Sequence, residues 1–295
     1  MMTSSHHWRP QETPRVISWL ITITCLITLL SALLTPLLHL MKLIAPQEVL
    51  SLSWFGINSF FIWQPITYLF IQELPLDGIN LFFLITLAFN MYVLWMLGSI
   101  LHIDIGTRHF LAIYLLTGAL AGLSALAIEK LTGQYTTLYG PTAALLALFA
   151  IWVMHYGDSI LSLFFLIPLK TKWILATILG AIVLFSLSKL DFVSMTLYLS
   201  ATLFAYLYGT IILGLKSPYS FLEKIDEQLV RLHRWLFGVK AKSPGAKIVN
   251  LKGEPILSDE EFIDAMLTKI SRFGENALSM SERLRMEQIS KRKRR

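Results

Sequence analysis

The sequence is short of charge, of cysteine and, along one stretch, of any basic residue. Only 15% of its 295 residues are charged, while 55% are hydrophobic, and its mean hydropathy is +0.62. Soluble globular domains carry roughly a quarter charged residues, so this composition excludes an ordinary soluble domain and reads as a polytopic membrane protein. A single cysteine, Cys25, lies in an apolar run. One cysteine excludes both an intrachain disulfide framework and a cysteine-based metal site. No motif asks for a cofactor, and none is expected.

The charges that exist are unevenly placed. Of the 25 Lys and Arg residues 17 follow Leu215, as do 11 of the 19 Asp and Glu, so residues 216–295 read as a separate basic segment in water. Residues 1–15 read as a polar tail, in which adjacent His6 and His7 are better explained by disorder than by metal binding. The apolar run that follows is too long for a signal-peptide core and marks a retained span. Six apolar runs, at about 16–41, 79–101, 110–128, 140–155, 173–187 and 192–213, predict an all-α bundle over residues 16–215. Arg9, Arg15, Arg108, Lys170, Lys172 and the tail fall on one side of it, against Lys42, Lys130 and Lys189 on the other. That asymmetry places both termini in the cytoplasm.

The segment 45–78 carries Glu48, Glu73 and Asp77 but no Lys or Arg, as expected of an outer loop. Its stretch from Trp63 and Gln64 to Phe70 has the rings and amides of a segment lying in the membrane interface. Asn90, inside the second span, predicts an interhelical hydrogen bond. Gly118 and Gly122, four apart in the third, predict close helix approach.

The most informative stretch is YGPTAALLALFAIWVMHY, residues 139–156. Gly140 suits a strained turn, Pro141 a first helical turn, and Thr142 then stands at the positive end of the helix, followed by Ala143. Two readings compete: a helix-capping hydroxyl, or the nucleophile position of a membrane-embedded hydrolase.

Beyond Lys216, Leu222, Ile225, Leu229, Leu232 and Leu236 recur at helical spacing and predict an amphipathic helix, on the membrane surface or against the bundle. A capping box at Ser258 to Glu261 predicts a second helix from about Asp259, and residues 279–289 a third. The end from Lys291 to Arg295 is expected to be drawn to anionic lipid rather than to nucleic acid.

Together these stretches resemble the rhomboid family of intramembrane serine peptidases over about residues 16–213. WQPITYLF is similar to the family's Trp-(Arg/Gln)-x-x-Thr-Tyr-x-Phe, FNMYVLWMLG to its Asn-Met-x-x-Leu-x-x-x-Gly, and FFLIPLKTKW to the stretch after its fourth helix. LYLSATLFAYLYG stands where the family shows Ala-His-x-Gly-Gly-x-x-x-Gly-Tyr, and MLTKIS with SERL looks like a helical module of some bacterial rhomboids. The resemblance implies a six-helix rhomboid-like bundle in the bacterial inner membrane, with a lateral opening between helices.

At the catalytic positions the chain departs from the family. The nucleophile position is Thr142, the base position Tyr198, and the family's small residues beyond it become Ser200, Ala201 and Ala205. Of the oxyanion pair Asn90 remains, and Thr86 replaces a histidine. An alcohol is a weak nucleophile until a base within about 2.6–3.2 Å takes its proton, and a phenol, titrating near 10, is a poor base at neutrality. After Thr142 the only histidines are His155, roughly 20 Å away along the helix, and His233 in the tail. Ser200 and Ala201 are expected to push the sixth helix off the fourth, and the Thr142 and Tyr198 hydroxyls to bond across them. The expectation is an inactive rhomboid-like protein that binds transmembrane segments of clients through Trp63, Gln64 and Phe70. The alternative is an active peptidase using Thr142, Tyr198 and Asn90.

Overall fold

A helix in lipid keeps its leucines outward and turns its few polar side chains in. The first helix of the computed structural model does this. α1 (Arg15–Leu40) exposes Trp19 (65%), Leu26, Leu30, Leu33 and Leu37, and buries Thr24, Thr28, Ser31 and Thr35. A buried hydroxyl needs an acceptor: Thr24 donates to Leu20 O at 2.8 Å and Thr28 to Phe70 O at 3.2 Å. The structure describes residues 14–75, 78–163 and 167–237, with Phe262, Met266, Leu267, Ile270, Met286 and Ile289 beyond them.

The charge-poor segment after α1 folds into α2 (Pro46–Leu50), α3 (Trp54–Asn58), α4 (Gln64–Thr67) and a tight turn, Tyr68–Phe70. Tyr68 and Leu69 are fully buried. The glycines expected to join helices mainly make room for this segment. In α6 (Gly118–Thr132), a Cβ at Gly118 would lie 2.9 Å from Leu69, and one at Gly122 would lie 2.5 Å from Leu52 and 3.1 Å from the Tyr68 ring. Tyr68 then donates its hydroxyl to Gly118 O at 2.6 Å.

α5 (Leu81–Ala112) starts on Asn80, whose side chain accepts from Phe83 N, and runs through a π-turn, Ile113–Thr117, into α6. The loop expected at 102–109 is reduced to one residue. Gly106 takes φ 77°, ψ 162°, a left-handed conformation that glycine alone adopts at no steric cost, and the helix breaks there. Across the break a Cβ at Gly98 would lie 3.2 Å from Phe110, although twelve residues of straight helix span roughly 18 Å. The chain therefore folds back on itself at Gly106. α6 ends at Gly133, again left-handed at φ 71°, so Glu129 and Lys130 belong to its last turn rather than to a loop.

α7 (Thr142–Tyr156) is buried along most of its length, from Ala143 to Leu148 and from Ala150 to Val153. Its 15 residues span about 22 Å, short of the ~30 Å of a bilayer core. Among the described residues, the helices long and apolar enough to cross a membrane are Arg15–Leu40, Leu81–Thr132 with its break, Thr171–Lys189 and Phe192–Ile211. After α7 comes a short antiparallel ribbon, β1 (Ile160–Leu163) and β2 (Ile167–Lys170), with Ile160 opposite Lys170. It is a small addition to an otherwise helical architecture. α8 (Thr171–Lys189) and α9 (Phe192–Ile211) follow, the second capped by Asp191 accepting from Ser194 N at 2.9 Å. α9 packs along α6 and α7. The whole packs as a membrane helical bundle.

The first compact unit runs to Phe237 and includes α10 (Glu223–Phe237). A buried carboxylate ties it there. Ile225 and Leu232 remain exposed, while Asp226 is buried, accepting from Tyr206 Oη at 2.6 Å and Ser217 N at 2.8 Å. In the second unit, Gly238–Arg295, Phe262, Met266 and Ile289 form a small core with Met286 packed against it. The capping box at Ser258 to Glu261, the basic end from Lys291, and His6 and His7 lie outside the described residues.

Candidate functional site

The mouth of α7 is set by backbone pairing with the segment after α1. Leu52 and Leu138 exchange N–H···O bonds of 3.1 and 2.8 Å, and Gly140 N donates to Tyr68 O at 2.9 Å. Gly140 takes φ 90°, turning the chain so that Pro141 precedes the helix and Thr142 becomes its first residue. Pro141 is buried and Thr142 is exposed. Among the described residues the Thr142 hydroxyl makes no hydrogen bond, so the capping one of its two readings is not seen.

Thr142 opens into a cavity of about 510 Å³ that also takes in Asn90, Tyr198, Thr86 and Gly140. Residues spread over more than a hundred positions, and singled out from the sequence, thus share one space. Within it, however, the expected bonds are missing. No hydrogen bond joins Thr142 to Tyr198 among the described residues. Asn90, 6% exposed, makes no interhelical bond there either. Thr86 donates to Phe82 O at 2.9 Å, one turn back in its own helix.

The cavity also holds groups that the sequence pattern did not single out. Glu73 stands at its rim, and Gln72 in its wall donates Nε2 to Phe83 O at 3.1 Å, leaving a buried Oε1 with no partner. Tyr139, outside the spans, lines it too, its phenol pushed up by burial. Glu73 had one visible signal, a carboxylate in a charge-poor segment; its proximity to Thr142 depends on a loop path that spacing does not encode.

The histidines whose side chains are described are engaged elsewhere. His39 pairs with Glu48 at 3.2 Å, His102 shares a bond of 2.8 Å with Thr107, His109 one of 2.9 Å with Tyr208 Oη, and His155 bonds Ile151 O. None lines the cavity.

The expected displacement of α9 is also not seen. Ala201 and Ala205 are fully buried, and four residues on a Cβ at Gly209 would lie 2.9 Å from Ile151 and Met154 of α7. A stripe of small residues at a spacing of four lets the two helices approach closely. Ser200 satisfies itself on Leu197 O at 3.2 Å.

The three residues read as a client-binding stretch have different surroundings. Gln64 is fully buried. Its Nε2 donates to Glu48 O and Val49 O, and its Oε1 accepts from Ser53 N. Gln64 therefore holds the segment together. Trp63 is 43% exposed, stacked on Phe61 and bonded through Nε1 to Val49 O at 3.0 Å. Phe70 is half-buried, with its ring edge-on to Tyr114.

Comparison with known proteins agrees with this geometry. The rhomboid domain family matches residues 82–215, from the start of α5 to just past α9. The match includes Asn90, Thr142 and Tyr198 and leaves out α1 and the segment from Trp63 to Phe70. No curated protein matches the chain.

Proposed function

We propose that this rhomboid-like membrane protein has no peptidase activity and instead binds transmembrane segments of client proteins. One observation carries the reading: among the described residues the alcohol at the mouth of α7 has no proton acceptor bonded to it, Gln72 in the same cavity keeps a buried Oε1 without a partner, and Asn90 makes no hydrogen bond. A buried polar group left unpaired costs about 1–3 kcal/mol. A client helix loosened by glycine or proline offers free backbone N–H and C=O groups that would satisfy Gln72 Oε1 and the Asn90 amide. Without a base, the Thr142 hydroxyl binds and does not attack. Trp63 and Phe70 then guide the client at the interface, with Gln64 as their internal brace. The charge asymmetry favours cytoplasmic termini in a bacterial inner membrane, and the Lys291 to Arg295 end would hold anionic lipid.

A photoreactive residue at Phe82, which is exposed and lines the cavity, tests this with two synthetic transmembrane peptides. One carries a Gly-Pro break at mid-helix and the other is uninterrupted leucine. Capture should favour the broken peptide and fall in Asn90→Leu. Equal capture of both peptides, unaltered by Asn90→Leu, would refute the proposal.

A second reading, an active peptidase, draws support from Glu73, a carboxylate in the same cavity as Thr142 and Tyr198. It requires Glu73, or a water held by it, to take the Thr142 proton while Asn90 steadies the oxyanion. Cleavage lost in both Thr142→Ala and Glu73→Gln would establish that reading.

A further inference from the structure

A second cavity, of about 410 Å³, lies between α3 and the end of α6, sharing only Thr137 and Tyr139 with the first. It combines two carboxylates, Glu48 and Glu129, with the rings of Trp54, Tyr135 and Tyr139. Glu129 is the unusual member. It is fully buried, and its Oε1 accepts both bonds from Thr136, N–H at 3.2 Å and Oγ1 at 2.9 Å. Its Oε2 is buried with no partner among the described residues. A carboxylate oxygen sealed from water needs a donor, and the chain around it supplies none among the described residues.

We propose that this cavity is a binding site for an organic cation, a primary ammonium or guanidinium group that donates to Glu129 Oε2 and lies against the aromatic wall. The chemistry of the lining selects that class. A hard metal ion takes six to eight oxygen ligands, whereas among the described residues no three metal-ligating side chains converge here. Aromatic faces attract ammonium and guanidinium groups instead, and guanidinium is the more weakly hydrated of the two. The Trp54 ring already does this on its own chain: Lys130 Nζ lies 5.7 Å from its centroid, while the indole N–H is fixed to Leu126 O at 2.8 Å. Glu48, bonded to His39 at the rim, supplies the second negative charge. The ammonium or guanidinium belongs either to a free small amine or to a Lys or Arg flanking a membrane segment in the neighbouring cavity. The proposal holds whether or not such segments are clients.

Titration calorimetry on the full chain in lipid nanodiscs tests the site. Butylguanidinium and butylammonium are compared with uncharged butylurea, in wild type, Glu129→Gln and Tyr135→Ala. Saturable binding of the two cations and not of butylurea is expected. It should weaken about tenfold or more in Glu129→Gln and about threefold in Tyr135→Ala, whose side chain is exposed. A thermal melt of each unliganded variant separates lost binding from lost folding, and if Glu129→Gln unfolds, Glu48→Gln and Tyr135→Ala decide. Absence of saturable binding, equal binding of butylurea, or unaltered affinity in the folded variants would overturn the proposal. A membrane peptide with one flanking lysine, set against its norleucine analogue in competition with butylammonium, identifies the source: displacement by the lysine form alone marks a membrane segment, and none by either marks a free amine.

Discussion

The two ends of α7 are held in opposite ways. At the C-terminal end Tyr156 donates to Asp104 at 2.8 Å, Asp158 pairs with Lys172 at 2.8 Å, and Pro218 packs so closely that a Cβ on Gly157 would lie 2.5 Å from it. Tyr219 adds a bond to Lys172 O at 2.7 Å. At the N-terminal end the backbone is pinned by Leu52 and Tyr68, yet the Thr142 side chain lines a cavity and makes no hydrogen bond among the described residues. Polar groups are thus satisfied where the helix must be fixed and left open where it meets the cavity. The rigidity of the site comes from the backbone behind it, so its side chains remain free to meet a ligand.

The comparison breaks most readily at the pins. Tyr68→Ala removes a fully buried ring and the bond to Gly118 O. It should cost about 3–5 kcal/mol in reversible unfolding in detergent. Next in size, Gly157→Ala forces a methyl against Pro218 and Val153 O at the crowded end. About 1–3 kcal/mol is expected in the same measurement, as for other overpacked sites. Thr142→Ala at the open end should by contrast alter stability by no more than about 0.5 kcal/mol, because no bond is lost. A loss of 2 kcal/mol there would show that the hydroxyl has a structural partner after all.

The smallest effect belongs to the exposed Asp158. Lys172, bonded and adjacent, holds its carboxyl below the usual carboxylate range, with Lys170 contributing less. Its stabilising contribution is therefore present above the unfolded-chain value of about 3.9 and is lost as pH falls through the lower folded-state value. Asp158→Asn should melt slightly below wild type at pH 7, and the gap should close in acid. A gap that persists below the folded-state value would mean the pairing with Lys172 is not its source.

Much of this was legible from residue patterns. The apolar runs located the long helices, and Gly140-Pro141-Thr142 located the mouth of α7, because backbone needs at a helix start are local. What local pattern missed was decided by tertiary context. The polar residues around Gly106 looked like a loop, yet one left-handed glycine reverses the chain. Gln64 sat among interfacial aromatics and proved to be buried, since its three backbone partners come from earlier in the segment. The apolar stripe of α10 gave no sign of the tie to the bundle, which Asp226 makes. Glu73 and Glu129 became notable only when their neighbours were known.

The central claim is that the hydroxyl at the mouth of α7 binds and does not cut. Its most direct test is a fluorogenic transmembrane substrate in proteoliposomes holding the full chain or its Thr142→Ala variant. The same background signal is expected from both. Cleavage by wild type that disappears in Thr142→Ala would contradict it.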